Sequence, residues 1–444
     1  MNKRFSIFEL VLVLGVTVSS LMTAILVDFS LVGAILPGLA LLVLFSKKNG
    51  YTYNDLLRSS WTGVVRNKNV AWLLAFIGII LPTWFLSGTI TDLNQLFLSL
   101  IAPKYFFVMT FLIATMMSLI VGSAVGSLSI VGVPLIATAE MLGLPLTIVA
   151  GALVSGAFVG DRTSPLSSSF QLLAFSVELN TKKHFQTILP TMVITAGITA
   201  LIFLLLDISI DKNMTTGIAT EEIILHPGSL LISLIPPFVL LVMILLGKNM
   251  KLCFSLGIAT AGIILIFRGE HASEWVHAMI FGISSFDGLQ SMASFIIFIL
   301  LVGAYCQMIE DTGMVQPYIH RIFTNKTSLA KNTAQTVGVA AGVSLISPNQ
   351  SFPIILTGRS LLPHWQAHFN KEHLARVIAD STVVFAGLIP WSLLAILCSA
   401  IIQVPVLEYA PFAIFLWLSM FVTLGYSMKK RQKVHVEQPV QKLG

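Results

Sequence analysis

Apolar runs of roughly 17–25 residues recur from one end of this 444-residue chain to the other, each long enough to cross about 30 Å of hydrocarbon. Lipid offers a peptide group no hydrogen-bond partner, so such runs must be helices or strands of a closed barrel. The alternating segments of about ten residues that build a barrel do not repeat here. The fold expected is therefore an all-α polytopic membrane protein with about 11–13 transmembrane helices. Composition agrees: 56% of the residues are hydrophobic and 10% charged, against roughly 25% charged in a soluble domain.

Spans are expected near 6–27, 30–46, 70–90, 105–121, 133–159, 187–206, 229–246, 252–268, 289–310, 332–346, 377–402 and 408–427. The first follows Lys3-Arg4 but has no small-residue cleavage site after it, and reads as a retained helix. Net charge is +6. In a soluble chain this would raise nucleic acid as a partner, but here the basic residues cluster in short loops. These are Lys47 to Lys68, Lys182-Lys183-His184, Lys248 with Lys251, Arg321 to Lys331, and Lys429-Lys430-Arg431. The stretch Asp207 to His226 is acidic. The excess of Lys and Arg on cytoplasmic loops then places both termini in the cytoplasm of a cell whose cytoplasmic membrane holds the protein. Cys253, Cys306 and Cys398 lie in apolar runs without metal-site spacing and read as small hydrophobic side chains.

Two stretches interrupt the apolar pattern. Gly122 to Gly132 is rich in Gly and Ser, and Ser347 to Gly358 holds Pro348, Asn349, Gln350, Pro353 and Gly358. Breaks at corresponding places in two halves point to a transporter's binding site. The halves do correspond: Trp84–Thr89 with Cys306–Gly313, Gly126 with Asn349, and Asp161 with Asp380 stand at nearly equal separations. Charge-based orientation runs 70–90 outward and 289–310 inward, which makes the repeat inverted and its helices discontinuous. The division expected is 1–69 for N-terminal helices and a basic loop, 70–228 for the first transport repeat, 229–288 for connecting helices, 289–428 for the second repeat, and 429–444 for a tail.

A carboxylate within a span costs at least about 2.5–3.5 kcal/mol at the helix centre and so tends to face a functional cavity. Asp161 stands out, in Gly160-Asp161-Arg162-Thr163-Ser164-Pro165 followed by Leu166 and three serines. Arg162 is adjacent and available for charge compensation; the four serines Ser164, Ser167, Ser168 and Ser169 supply neutral oxygens, with Ser164 and Ser168 the ones expected to bind. Asp380, with Ser381 and Thr382 beside it, is the counterpart. Asn349 and Gln350 offer amide oxygens, or cap a broken helix. Carboxylate, hydroxyl and unwound carbonyl oxygens suit a hard cation such as Na⁺, or a proton. Asp161 and Asp380 are thus the expected Na⁺ ligands, with Glu140 and Arg359 as candidates for charge compensation or gating. Glu140 also reads as a turn residue. Glu310 and Asp311 read mainly as helix termination, Glu408 as interfacial, and His364, His368 and His373 as a solvated loop face. No GxxxxGK[ST], GxSxG or HExxH sequence occurs, so the chain reads as no enzyme, with no cofactor, driven by an ion gradient.

These same residues carry a family likeness. Thr83-Trp84-Phe85-Leu86-Ser87-Gly88-Thr89, Gly160-Asp161-Arg162 through Ser167, Ile354 to Arg359, Asp380-Ser381, Leu388-Ile389-Pro390-Trp391 and Val404 to Tyr409 resemble motifs of the NhaC family of bacterial Na⁺/H⁺ antiporters. The likeness extends from about Trp72 to Tyr426. It implies exchange of Na⁺ for H⁺, with lipid and a small cation as partners and a homodimer as a compatible assembly. Three positions depart: family acids fall on Ser168 and Asn349, and a family Asn on Ser392. Relatives of that family include malate/lactate exchangers. The alternative reading is therefore Na⁺- or H⁺-coupled exchange or symport of an organic acid or amino acid, whose carboxylate Arg162 and Arg359 would meet.

Overall fold

A computed structural model describes residues 5–429 apart from 28, 211–226, 270, 285, 320–327 and 348. Most of the acidic stretch, most of the basic stretch after Arg321, Pro348 and the tail lie outside the described residues. The protein is an all-α, multi-pass membrane protein. In chain order, α1 spans Ile7–Leu26, α2 Leu31–Lys48, α3 Tyr53–Leu86, α4 Thr89–Leu100, α5 Phe106–Val121, α6 Ala124–Met141, α7 Leu146–Thr163, α8 Ser168–Ser176 and α9 Thr181–Ser209. They are followed by α10 Pro227–Ser233, α11 Ile235–Leu245, α12 Met250–Phe267 and α13 Ala272–Phe281. The rest comprises α14 Leu289–Thr312, α15 Gln316–Ile319, α16 Leu329–Ile346, α17 Ser351–His368, α18 Lys371–Ile378, α19 Leu393–Ile402, α20 Val406–Tyr409 and α21 Ile414–Lys429.

Among the described residues, eight helices are long and apolar enough to cross a membrane. A ninth crossing comes with a pair bent by 89° between Leu393–Ile402 and Val406–Phe412. The remaining expected crossings fall on shorter or more polar helices, among them the apolar Leu230–Leu245 and Ile414–Lys429. The surface carries large apolar side chains such as Phe8, Trp61, Leu201, Phe267 and Phe421, while dozens of Ser, Thr and charged side chains are buried. A soluble protein arranges these the other way round; here lipid is the outer solvent.

Three elements differ from the expected spans, each for a local reason. The run 133–159 is two helices that reverse at 142–145, where Gly143 takes φ +65° and Pro145 starts α7. The run 377–402 is broken twice, by a π-helical turn over Ala379–Val383 and by an irregular stretch before α19. The basic loop 47–68 is short, because α3 begins at Tyr53 behind a Thr52–Asp55 capping box. The Gly- and Ser-rich break reduces to its tip. Gly122 adopts φ +71°, Ser123 caps α6, and α6 runs unbroken past Gly126 and Gly132.

Packing couples the halves reciprocally. α8 packs on α17, and α19 on α6; α9 packs on α18, and α21 on α7. α3 packs on α14, and α9 on α21. These contacts pair off with the roles exchanged. The hairpins α5–α6 and α16–α17 point their tips toward α7 and the π turn. At the opposite end of α5 from its tip, the Asp207 carboxylate accepts hydrogen bonds from the Phe107 and Val108 amides at 3.0 and 2.9 Å, satisfying orphan donors of the first turn.

Candidate functional site

Asp161 is carried near the C-terminal end of α7. Gly160 puts it there: a Cβ on that residue would lie 2.1 Å from the Ser118 carbonyl carbon and oxygen, so α5 and α7 touch backbone to backbone. The next residues cannot continue the helix past Pro165, and Ser167 caps α8. The turn folds its hydroxyls back. Ser167 Oγ donates to the Asp161 carbonyl at 2.6 Å, and Ser169 Oγ lies 2.8 Å from that carbonyl and 3.1 Å from Asp161 Oδ2. Across the site, Gln350 Nε2 donates to Asp161 Oδ2 at 2.9 Å and to the Val383 carbonyl at 2.9 Å. The Ala124 amide, at the start of α6, also faces the carboxylate. Asp161, 6% exposed, therefore sits where α6, α8 and α17 begin. The positive ends of those helices stabilise negative charge, and no basic side chain bonds to it among the described residues.

Arg162 points the other way. Its guanidinium meets Asp380: Nε donates to Oδ1 at 2.7 Å and Nη2 closes the fork on the same oxygen. Nη1 donates to Thr163 Oγ1 at 3.1 Å, and Nη2 to Thr191 Oγ1 at 2.9 Å and the Ile188 carbonyl at 3.4 Å. Both members of the pair are inaccessible. Compensation by Arg162 thus reaches Asp380 in the other half rather than the neighbouring Asp161. Asp380 occupies the π turn, whose widened backbone occurs often at functional sites. Its Oδ2, Thr382 Oγ1 and Thr423 Oγ1 are buried without a hydrogen bond of good geometry.

The other sequence candidates divide. Ser164 Oγ donates to the Leu119 carbonyl, and Ser381 Oγ to the Val377 carbonyl, so both brace backbone. Ser168 is exposed, because it is the first residue of α8 and its neighbours Ser167 and Ser169 take the inward face. Asn349 Oδ1 accepts from the Ser351 amide at 3.0 Å and starts α17. Gln350 does reach the site, but as a donor. Glu140 is exposed at the end of α6, and exposed Arg359 lies over the Phe175 ring, 5.4 Å from its centroid. Neither touches the buried cluster. The histidines are not a solvated face, because the helices leave only two residues between them. His373 is 2% exposed and bonded to Ser427 at 2.8 Å, and His364 bonds Asn332 at 3.0 Å.

Of the four serines expected to offer oxygens, Ser167 and Ser169 are the two that meet Asp161. Sequence reading missed Thr191 and the Val383 carbonyl. Thr191 had no signal, since α9 is distant in sequence.

Comparison with known proteins bears on the chemistry. The profile of the Na⁺/H⁺ antiporter family matches residues 211–429. The Na⁺/H⁺ antiporter NhaC of Alkalihalophilus pseudofirmus is 27% identical over 98% of this chain and 99% of its own length. Over nearly its whole length the chain is similar to Na⁺/H⁺ antiporters named NhaC. NhaC of Bacillus subtilis is 25% identical over 86% of this chain and 88% of its own. A malate-2H⁺/Na⁺-lactate antiporter of Bacillus subtilis is 24% identical over 95% of this chain and 94% of its own. The family profile covers the half that supplies Gln350 and Asp380; the Asp161 turn lies before it and is spanned by the full-length relatives.

Proposed function

We propose that this protein exchanges Na⁺ for H⁺ across the bacterial cytoplasmic membrane, with Asp161 as the carboxylate that holds either ion. The observation that carries the reading is the difference in partners: Asp380 is bound by Arg162, whereas Asp161 is held by neutral donors alone. An Arg guanidinium stays protonated in proteins, so the pair with Asp380 is a fixed brace. A proton or a cation displaces neutral donors at far lower cost than it displaces a guanidinium. On binding Na⁺, Gln350 would turn its Oε1 inward and release the Val383 carbonyl. These two oxygens, the Ser167 and Ser169 hydroxyls and Asp161 form an oxygen set of the kind a hard cation takes. A proton on Asp161 removes the charge that attracts the cation, so the two compete. Alternating exposure then follows if the hairpin tips move with α7 and the π turn against α3 and α14.

The organic-acid alternative loses its two basic anchors, and the helix starts that could meet a carboxylate already face Asp161. Arg162 is consumed by Asp380, and exposed Arg359 stands outside the site. Reconstituted protein should dequench a pH-sensitive dye on addition of Na⁺ and leave it unchanged with malate or lactate. Exchange as fast in Asp161→Asn as in the natural protein would sink the assignment.

A further inference from the structure

A second polar constellation lies apart from the Asp161 turn, where α3 and α14 meet the tip of the α16–α17 hairpin. Arg66 Nη1 contacts Glu310 Oε2 at 3.0 Å and Gln307 Oε1 at 3.1 Å. Gln307 Nε2 continues to Asp311 Oδ1 at 2.8 Å. Beneath this cluster is a narrow cavity of about 20 Å³, room for one water-sized particle. Arg66, Gln307 and Glu310 line it together with Cys306, Ser347 and Asn349, beside the apolar Val302, Phe352 and Leu393. The residue after Asn349 is Gln350, which bonds Asp161. The crevice thus ends one residue from a direct contact of Asp161.

The cluster stands at the basic end of the molecule. Lys48 pairs with Glu9 at 2.9 Å, Tyr51 Oη donates to the Thr312 carbonyl, and Tyr318 Oη donates to the Phe5 carbonyl. These contacts gather the start of α1, the α2–α3 turn and the end of α14. The cavity also follows a boundary. Arg66 and Glu310 belong to α3 and α14, which pack on each other, while Ser347 and Asn349 belong to the hairpin tip. Arg66 and Glu310 side chains are 44% and 35% exposed. Ion pairs that exposed contribute little to stability, which suits a contact that opens better than one that braces.

We propose that this crevice is the route by which ions pass between Asp161 and the basic, cytoplasmic end, and that Arg66 is its gate. The proposal rests on the cation-exchange reading above. A guanidinium in a mouth this narrow repels an entering cation and fills its path. Glu310 and Gln307 hold Arg66 to one side; with Arg66 drawn away, Glu310, Asp311 and the Asn349 turn leave a mouth that attracts cations.

Cys306 lines the crevice and serves as a native reporter. In a Cys253→Ala/Cys398→Ala background, a membrane-impermeant maleimide, too large for the closed crevice, should label Cys306 during its openings in everted vesicles and not in right-side-out vesicles. Arg66→Ala should speed labelling about tenfold or more, as expected when a unit charge and its bulk leave a narrow mouth. Glu310→Gln should slow it, because Arg66 is released into the path. Opposite signs mark a gate; a purely structural pair would shift both variants the same way. Equal labelling from both sides, or a change of the same sign in both variants, overturns the proposal. Should that background fail to fold, Na⁺-driven exchange in the natural cysteine context gives the same comparison: Arg66→Ala lowers the KM for Na⁺ from that side and Glu310→Gln raises it. Gated labelling without any Na⁺/H⁺ exchange would retire the functional reading and leave the access route standing.

Discussion

Asp161 and Asp380, the two aspartates expected to correspond, live in different surroundings. Both are enclosed by protein. Asp380 is forked by Arg162 from the other half, with Thr191 and the Ile188 carbonyl completing the guanidinium's partners. Asp161 is met by a side-chain amide, a hydroxyl and the starts of three helices. The two carboxylates thus differ in kind of partner: one is joined to a guanidinium, the other meets neutral donors among the described residues. The hairpin tips divide in the same way. Gly122 and Ser123 turn the first chain tightly and aim the Ala124 amide. The second tip spends Asn349 on capping and sends Gln350 across to Asp161.

The sharpest way to break this comparison is to neutralise each acid in turn. Asp161→Asn should abolish Na⁺-driven proton movement, a loss of at least about 100-fold if the carboxylate supplies the charge-assisted contact to the cation. Its thermal unfolding should stay close to that of the natural protein. Asp380→Asn should instead fail in stability, since it leaves a buried guanidinium unpaired at a cost of about 3–5 kcal/mol. The double variant Arg162→Gln/Asp380→Asn should melt higher than Asp380→Asn alone. If Asp380→Asn folds normally and loses only transport, the division of roles is wrong.

Smaller effects sharpen the picture. Gln350→Ala removes the amide that joins Asp161 to the Val383 carbonyl. Apparent Na⁺ affinity should fall about tenfold, the equivalent of roughly 1.4 kcal/mol, measured from the Na⁺ dependence of exchange. Ser169→Ala should weaken it several-fold, at about 0.5–1.5 kcal/mol for one hydrogen bond. Ser168→Ala should change it by less than about twofold, because an exposed surface substitution is worth within about 0.5 kcal/mol. A Ser168→Ala effect as large as that of Ser169→Ala would mean that α8 rotates during transport.

Much of the fold was legible before any coordinates. Span 289–310 became α14 over Leu289–Thr312, and 252–268 became α12 over Met250–Phe267, because uninterrupted apolar length in lipid permits one answer. Runs with internal breakers were not legible in detail. Nothing in hydropathy says that 133–159 reverses at Gly143, since both arms are apolar and both are enclosed by protein. Gly and Pro near 122 and 348 located the tips but not the helices that continue beyond them.

For the site, sequence singled out Asp161 and Asp380, both buried, and Gln350, which is half-buried and bonds Asp161. It erred over which neighbour does what. Adjacency in sequence suggested that Arg162 compensates Asp161. Residues adjacent on a helix point about 100° apart, and Arg162 leaves toward α9 and the π turn. Ser168 and Ser169 differ by the same rotation, which sends one outward and the other to Asp161.

The sequence by itself determined that this chain spans a membrane as helices and that two aspartates sit where charge is costly. Those conclusions depend on length and hydropathy, which are local and additive along the chain. Only the tertiary structure decided the partner of each aspartate. Partnership depends on which faces of distant helices meet, and Arg162 reaches Asp380 because the halves pack reciprocally, not because of anything in the residues beside it.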